Sequence, residues 1–401
     1  MAIRDTVVFA LLLASCGPAA TPAPTSPTGT ATSSPVVRDS ASGRPLPTAF
    51  GSPPQRFGVP VFVSEQVGWV PTFDDRVFHT TGSGWREQRV PNTTFLAGLG
   101  FVGTQVGWAI GIAGEPTCGA PAARNDLTCR AALLRTDDGG ATWSELAAYT
   151  SQHTLIPLHG LRAISRDAAW AIHSADCAPS TTCVDDVVVT EDAGRSWRSS
   201  LTVSRVLDLE ASSASEAWAV VAAAAVPARP YDPAYQVRHT IDGGRTWHAT
   251  LSSTYFLYAS RTASSLWILE RDGAYCTASN CSRYVLRSSA DAGETWSDLG
   301  DPKDSATCSG GHLGPPSFSD RDLRAGVIPI ALGAGGVMVG SGGLLRTNDG
   351  GNTWTCETTP PNVTSAAAVM GIVVAVSNDR AANTDTVWIR NASGVWSRVL
   401  P

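Results

Sequence analysis

Lysine is nearly missing from this sequence: Lys303 is the single one among 29 basic side chains in 401 residues. Chemistry that depends on a Schiff-base or phosphate-binding lysine therefore rests on that residue or does not occur. Charge is sparse too, at 16% of residues with a net value of −6, and the arginines do not cluster. That excludes a nucleic-acid groove and a polybasic membrane patch, both of which concentrate positive charge. No apolar run approaches the roughly 20 residues that span a bilayer. Cys-x-x-Cys, His-x-x-x-His and His-Glu-x-x-His spacings are absent, as is a Gly-x-Ser-x-Gly elbow. These gaps argue against zinc and serine-hydrolase chemistry, so no metal and no cofactor is expected.

What is abundant is tryptophan, 13 residues, and cysteine, 9 residues. Five segments align without gaps: TDDGGATW from Thr136, TEDAGRSW from Thr190, TIDGGRTW from Thr240, SADAGETW from Ser289 and TNDGGNTW from Thr347. Their central aspartates, Asp138, Asp192, Asp242, Asp291 and Asp349, are spaced 54, 50, 49 and 58 residues apart. Each segment has period-2 runs on both sides, the pattern of a strand hairpin. In such a turn the carboxylate accepts amide hydrogen bonds and the glycine supplies a positive φ. The closing tryptophans, Trp143, Trp197, Trp247, Trp296 and Trp354, supply apolar plugs, and the aspartates are read as structural rather than as acids or calcium ligands.

A second marker, a small residue followed by Trp in an apolar strand, recurs at Trp69, Trp108, Trp170, Trp218 and Trp267. Two degenerate hairpins end in Trp85 and Trp396. Together these define seven units with strand starts near Val61, Leu99, Leu161, Leu207, Phe256, Val327 and Ala366, about 49 residues each over 57–401, the size of a four-stranded propeller blade. The hairpins are identified as Asp-box (BNR) repeats, as in sialidases and sortilin-type ectodomains. The fuller pattern, an apolar strand, Gly-Trp-Ala, then Leu-x-Arg-Thr-x-Asp-Gly-Gly-x-Thr-Trp, resembles the photosystem II stability and assembly factor family. That resemblance implies an all-β, seven-bladed β-propeller and a non-catalytic assembly or binding role.

The amino terminus reads MAIRDTVVFALLLASC, an arginine followed by a short apolar run and Leu13-Ala14-Ser15-Cys16. It resembles a bacterial lipobox, which implies a signal peptide over 1–15 and a lipidated Cys16. Residues 17–35 are only Gly, Pro, Ala, Thr and Ser, a tether (16–50 with Cys16) with a reach of roughly 30 Å. An extracytoplasmic, membrane-anchored monomer is the expectation. Cysteine usage agrees with that compartment. Cys118 with Cys129, Cys177 with Cys183, and Cys276 with Cys281 are local pairs read as disulfides, and Cys308 and Cys356 are left as a fourth pair.

Alternating strand direction puts every Asp box on one face and every long insertion on the other. The insertions, 112–132, 173–186, 222–236, 271–284 and 300–325, hold the local cysteine pairs and a set of candidate contact residues: Arg229, Tyr231, Tyr235, Tyr275 and Arg283. A protein or envelope component is the expected partner. A glycan is the alternative, held by a lectin-like or divergent sialidase-type protein. The sialidase motif fails where it should begin, because Phe57-Gly58-Val59-Pro60 has glycine where the carboxylate-binding arginine belongs. Gly98–Gly103 matches Gly-x-Gly-x-x-Gly but leads into a strand, so it is not a dinucleotide site.

Overall fold

The computed structural model describes residues 57–114, 129–151, 158–174, 184–222, 235–253, 256–262, 265–271, 276–277, 280–281, 283–304, 306, 312–314, 316–318, 324–332, 339–361, 363–369, 372–379, 384–391 and 393–400. It is a seven-bladed β-propeller, and no helix occurs among the described residues. Each blade is an antiparallel sheet whose strands follow chain order from the axis outward, with a separate two-stranded hairpin, Cys276–Thr277 and Asn280–Cys281, inserted in blade 5. Blade 2 illustrates the plan with Phe95–Val102, Val106–Gly114, Cys129–Thr136 and Ser144–Ser151.

The Asp boxes close the turn between third and fourth strands. Asp138 Oδ1 accepts from the Thr142 amide at 2.8 Å and the Thr136 hydroxyl at 2.7 Å, while Oδ2 accepts from the Thr142 hydroxyl at 2.6 Å. The same bonds recur at Asp192, Asp242, Asp291 and Asp349. Hydrogen bonds from the Ser196 and Thr295 hydroxyls hold Asp192 and Asp291 down at about 2. With their oxygens engaged inside the turn, these carboxylates close hairpins and are not free to serve a ligand. Two successive residues take positive φ, as Gly139 at 72° and Gly140 at 90° do. The first of the two is alanine in two boxes, Ala193 at 65° and Ala292 at 60°.

Each of seven apolar clusters receives one hairpin tryptophan: Trp143, Trp197, Trp247, Trp296, Trp354, Trp396 and Trp85. The second-strand tryptophans reach from one blade to the next. Trp69 donates its indole N–H to Gly139 O at 2.9 Å, Trp108 to Ser165 O at 2.9 Å, Trp170 to Ser213 O at 2.9 Å, Trp218 to Ala292 O at 2.6 Å and Trp267 to Gly350 O at 3.3 Å. Every acceptor lies in the following blade. Each indole thus combines the burial of a large apolar surface with a directional bond that sets the angle between sheets.

Blade 6 departs from the expected strand plan. Val327 lies on its second strand, Gly326–Leu332, not its first. The inner edge is made by two short pieces, His312–Leu313 and Ser317–Phe318, which both pair with that strand. The 300–325 segment therefore carries the blade's inner strand rather than being a plain insertion.

Candidate functional site

The inner strands enclose a cavity of about 710 Å³ along the propeller axis. Blades 1 to 5 line it, through Val61, Leu96 to Phe101, His159 to Ala163, Glu210, Ala211 and Arg261. Gly98 and Gly100 let the inner strands of blades 2 and 3 approach closely, since a Cβ would sit 3.2 Å from Leu161 Cβ and Ala163 Cβ respectively.

The mouth lies at the end opposite the Asp boxes. It carries Val59, 66% exposed, and Phe73, 51% exposed and stacked on Phe95 at 5.8 Å. Phe73 sits in the turn between the second and third strands of blade 1, Val67–Pro71 and Arg76–Thr81, and so belongs to the loop-rich face. Large apolar groups held open to solvent at the rim of a cavity suit contact with a partner.

Deeper in, the wall becomes charged. Arg162 Nη2 donates to Asp208 Oδ1 at 3.3 Å and to Glu210 Oε1 at 3.2 Å, joining the inner strands of blades 3 and 4. Asp208 Oδ2 accepts from the Ala259 amide of blade 5 at 2.9 Å, and Oδ1 from the Leu209 amide at 2.9 Å. Burial pushes Asp208 up to about 6 against the pull of Arg162, although 21% of its side-chain surface remains exposed. Arg261 places its guanidinium 5.8 Å from the Trp218 ring centroid. His159 stands near the mouth with Nε2 3.1 Å from the Ser174 hydroxyl, which donates to Asp185 at 2.8 Å. Burial lowers its pKa, so the ring is neutral at neutral pH. Ser174 gives its proton to Asp185, so it accepts from His159 and is not a nucleophile activated by it.

Of the expected contact residues, Tyr235 begins a third strand of blade 4 and packs against the seam cluster of Trp218, Val220 and Leu266. Arg283 is exposed at the same end of blade 5. Arg229, Tyr231 and Tyr275 lie outside the described residues, as do Cys16, Cys118, Cys177, Cys183 and Cys308. Cys129 and Cys356 are disulfide-bonded, and Cys276 and Cys281 stand directly opposite each other in a short hairpin. The channel residues Arg162, Asp208, Glu210, Arg261 and Phe73 escape a motif search. Their one signal is charge inside inner strands that are otherwise apolar, as in Leu-Asp-Leu-Glu-Ala from Leu207.

One further group on the Asp-box face offers metal-ligand chemistry. His239, His248 and Glu294 bring one ligand atom each to within 4.8 Å of one another.

No family model and no curated protein sequence matches the chain. Solved structures do match in fold. YCF48 bound to a D1 peptide is 16% identical with a TM-score of 0.50, over 86% of this chain and 94% of its own. The propeller domain of the trilobed protease from Pyrococcus furiosus, described as having an open velcro topology, is 7% identical with a TM-score of 0.58, over 87% and 99%. The GH74 xyloglucanase from Xanthomonas campestris is 10% identical with a TM-score of 0.55, over 85% of this chain but 52% of that one. These likenesses establish the propeller fold.

Proposed function

We propose that the chain is a non-catalytic binding module, held outside the cytoplasm by a lipid on Cys16, that takes a segment of a protein partner at the loop-rich face and into the axial mouth. The observation that carries this reading is the exposed Phe73–Phe95 stack at the rim of a cavity whose inner wall is charged. A peptide offers both kinds of group, apolar side chains for the rim and backbone or charged groups for Arg162 and Glu210. The likeness to YCF48, whose structure holds a D1 peptide, supports it. The lipobox-like Leu13–Cys16 and the Pro/Ser/Thr/Ala-rich tether support the anchor. Disulfides in the long insertions suit that compartment.

The test is panning of an unstructured-peptide display library against the untagged chain. Enriched peptides are expected to lose at least tenfold in affinity with Phe73→Asp and to keep it with Ile241→Asp on the Asp-box face. No enrichment, or equal loss with both variants, contradicts the reading.

A glycan-directed reading has one observation in its favour, the Asp208 and Glu210 pair in the same wall. A general acid needs a carboxyl free to deliver its proton. Asp208 instead has both oxygens accepting backbone N–H groups. Turnover of glycosides by wild type but not by Glu210→Gln is the result that favours this alternative.

A further inference from the structure

We propose that His239, His248 and Glu294 bind one divalent transition-metal ion of the zinc type at the seam between blades 4 and 5. The residues come together through the fold and not through helical spacing. His239 precedes the Asp box of blade 4 and His248 follows its closing Trp247. Strand register sets the two histidines directly opposite each other. Glu294 belongs to the Asp box of blade 5, which packs against the same seam.

His239 is the fixed member. It is 2% exposed, and its ring is stacked on Trp218 at 4.8 Å with an interplanar angle of 4°. Its Nε2 lies 3.3 Å from Glu216 Oε1. Glu216 is in turn held by the Ser212 hydroxyl and by its own amide donating to Ser213 Oγ at 3.0 Å. A neutral ring donates Nε2–H to Glu216 and turns the Nδ1 lone pair the other way. That atom is buried without a hydrogen-bond partner and lies 3.4 Å from Glu294 Oε1. A lone pair facing a carboxylate is repulsive unless a proton or a metal ion sits between them. His248 Nε2 is 3.1 Å from the same oxygen.

Two of the three separations, both measured to Glu294 Oε1, match those around an ion; the three ligand atoms lie within 4.8 Å of one another, and the half-exposed His248 side chain closes the remaining distance on binding. Ligands about 2.0–2.1 Å from a tetrahedral zinc stand roughly 3.3 Å apart, close to the 3.4 Å and 3.1 Å observed here. Two imidazoles and one carboxylate select zinc, copper(II) or nickel over magnesium and calcium, which prefer all-oxygen sets. Glu216 is the outer carboxylate that fixes the tautomer of a metal-bound histidine. His248 and Glu294 are half exposed, at 51% and 57% of their side chains, so the ion is reached from solvent and keeps a water. The ion would join two blades at a seam that is closely packed beside it: a Cβ on Gly293 would meet Leu266 Cδ1 at 3.2 Å.

The test is calorimetric titration of the metal-stripped, untagged full chain with zinc chloride, with the visible spectrum of the cobalt(II) form as a second readout. The expected result is one equivalent bound, a tetrahedral cobalt spectrum, and a melting midpoint that rises with excess zinc. His248→Ala and Glu294→Gln, both at exposed positions that leave the fold intact, are expected to abolish all three. Glu216→Gln is expected to weaken binding 10- to 100-fold. The proposal is overturned if wild type binds no zinc, leaving His239 as an imidazolium shared between Glu216 and Glu294, or if the His248→Ala, Glu294→Gln double variant binds with unchanged stoichiometry and affinity.

Discussion

The Phe57 amide donates a 2.8 Å hydrogen bond to the Asp385 carboxylate across 328 residues of chain. Within the chain, the Val206 amide of blade 4 donates to Asp185 of blade 3 in the same way, also at 2.8 Å. The positions are equivalent. Phe57 faces Thr72, three residues past Trp69, as Val206 faces Val221, three past Trp218. Asp385 and Asp185 each precede by two the valine paired with the middle of the second strand, Val387 with Val376 and Val187 with Ile172. The two ends therefore meet through a link the repeat already uses. Among the described residues the four strands of blade 7 all lie within 363–400, and side chains such as Phe57, Trp85 and Val374 complete the seam.

If closure is an ordinary blade contact, Asp385→Ala and Asp185→Ala should each cost about 1–3 kcal/mol, because each leaves a buried amide without its acceptor. Guanidinium unfolding followed by tryptophan fluorescence measures both. A cost at Asp185 with none at Asp385 would show that the ends are not joined.

Backbone conformation in the boxes gives two changes of opposite sign. Ala193 holds a φ of 65° that glycine adopts without strain. Ala193→Gly should stabilise by about 0.5 kcal/mol, the relief of a left-handed alanine less the added freedom of the unfolded chain. Gly244 has a φ of 78°, and a Cβ there would lie 2.4 Å from Ser200 Cβ. Gly244→Ala should destabilise by about 2 kcal/mol. Melting of the two variants beside wild type checks both signs.

Much of the scaffold is legible in the sequence because hairpin chemistry is local. The eight residues from Thr136 to Trp143 contain every side chain that closes their own turn. Blade 6 is less legible for a physical reason. Its inner edge is made of two pieces, His312–Leu313 and Ser317–Phe318, where the sequence between them reads Gly-Pro-Pro, and proline cannot donate to a ladder. Val327, opposite Arg346, takes the place that Trp108 holds opposite Arg135, so the tryptophan marker is missing there too. The channel and the His239 group are contacts between blades, and no local spacing announces them. His239 and His248 are nine residues apart, which means nothing on a helix but makes a facing pair across an Asp-box hairpin.

Asp208 gives the channel a pH dependence. Its folded pKa, about 6, lies above the ordinary aspartate value of about 3.9. The fold thus favours the neutral carboxyl, and the stability this contributes is present below pH 4 and lost as pH rises through 6. Relative to Asp208→Asn, wild type should lose unfolding free energy between pH 4 and 6.5 and then run parallel. Thermal unfolding across that range decides it, and a wild type that gains stability relative to Asp208→Asn as pH rises contradicts the assignment.

Non-reducing peptide mapping should recover Cys118 with Cys129, Cys177 with Cys183, Cys276 with Cys281 and Cys308 with Cys356. Cys276 and Cys281 stand opposite each other across a hairpin, and Cys129 and Cys356 each have disulfide geometry in the structure. A cross-linked peptide joining two different loops would replace the local pairing.

The binding reading is tested most directly by a photo-crosslinking residue placed at position 73 in the full chain expressed in cells, with position 241 as control. Ile241 is 67% exposed on the opposite face. The account predicts a discrete protein adduct from position 73 that is absent from position 241 and lost when Arg162→Ala is added. Adducts of equal yield from both positions, or none from position 73, would contradict it.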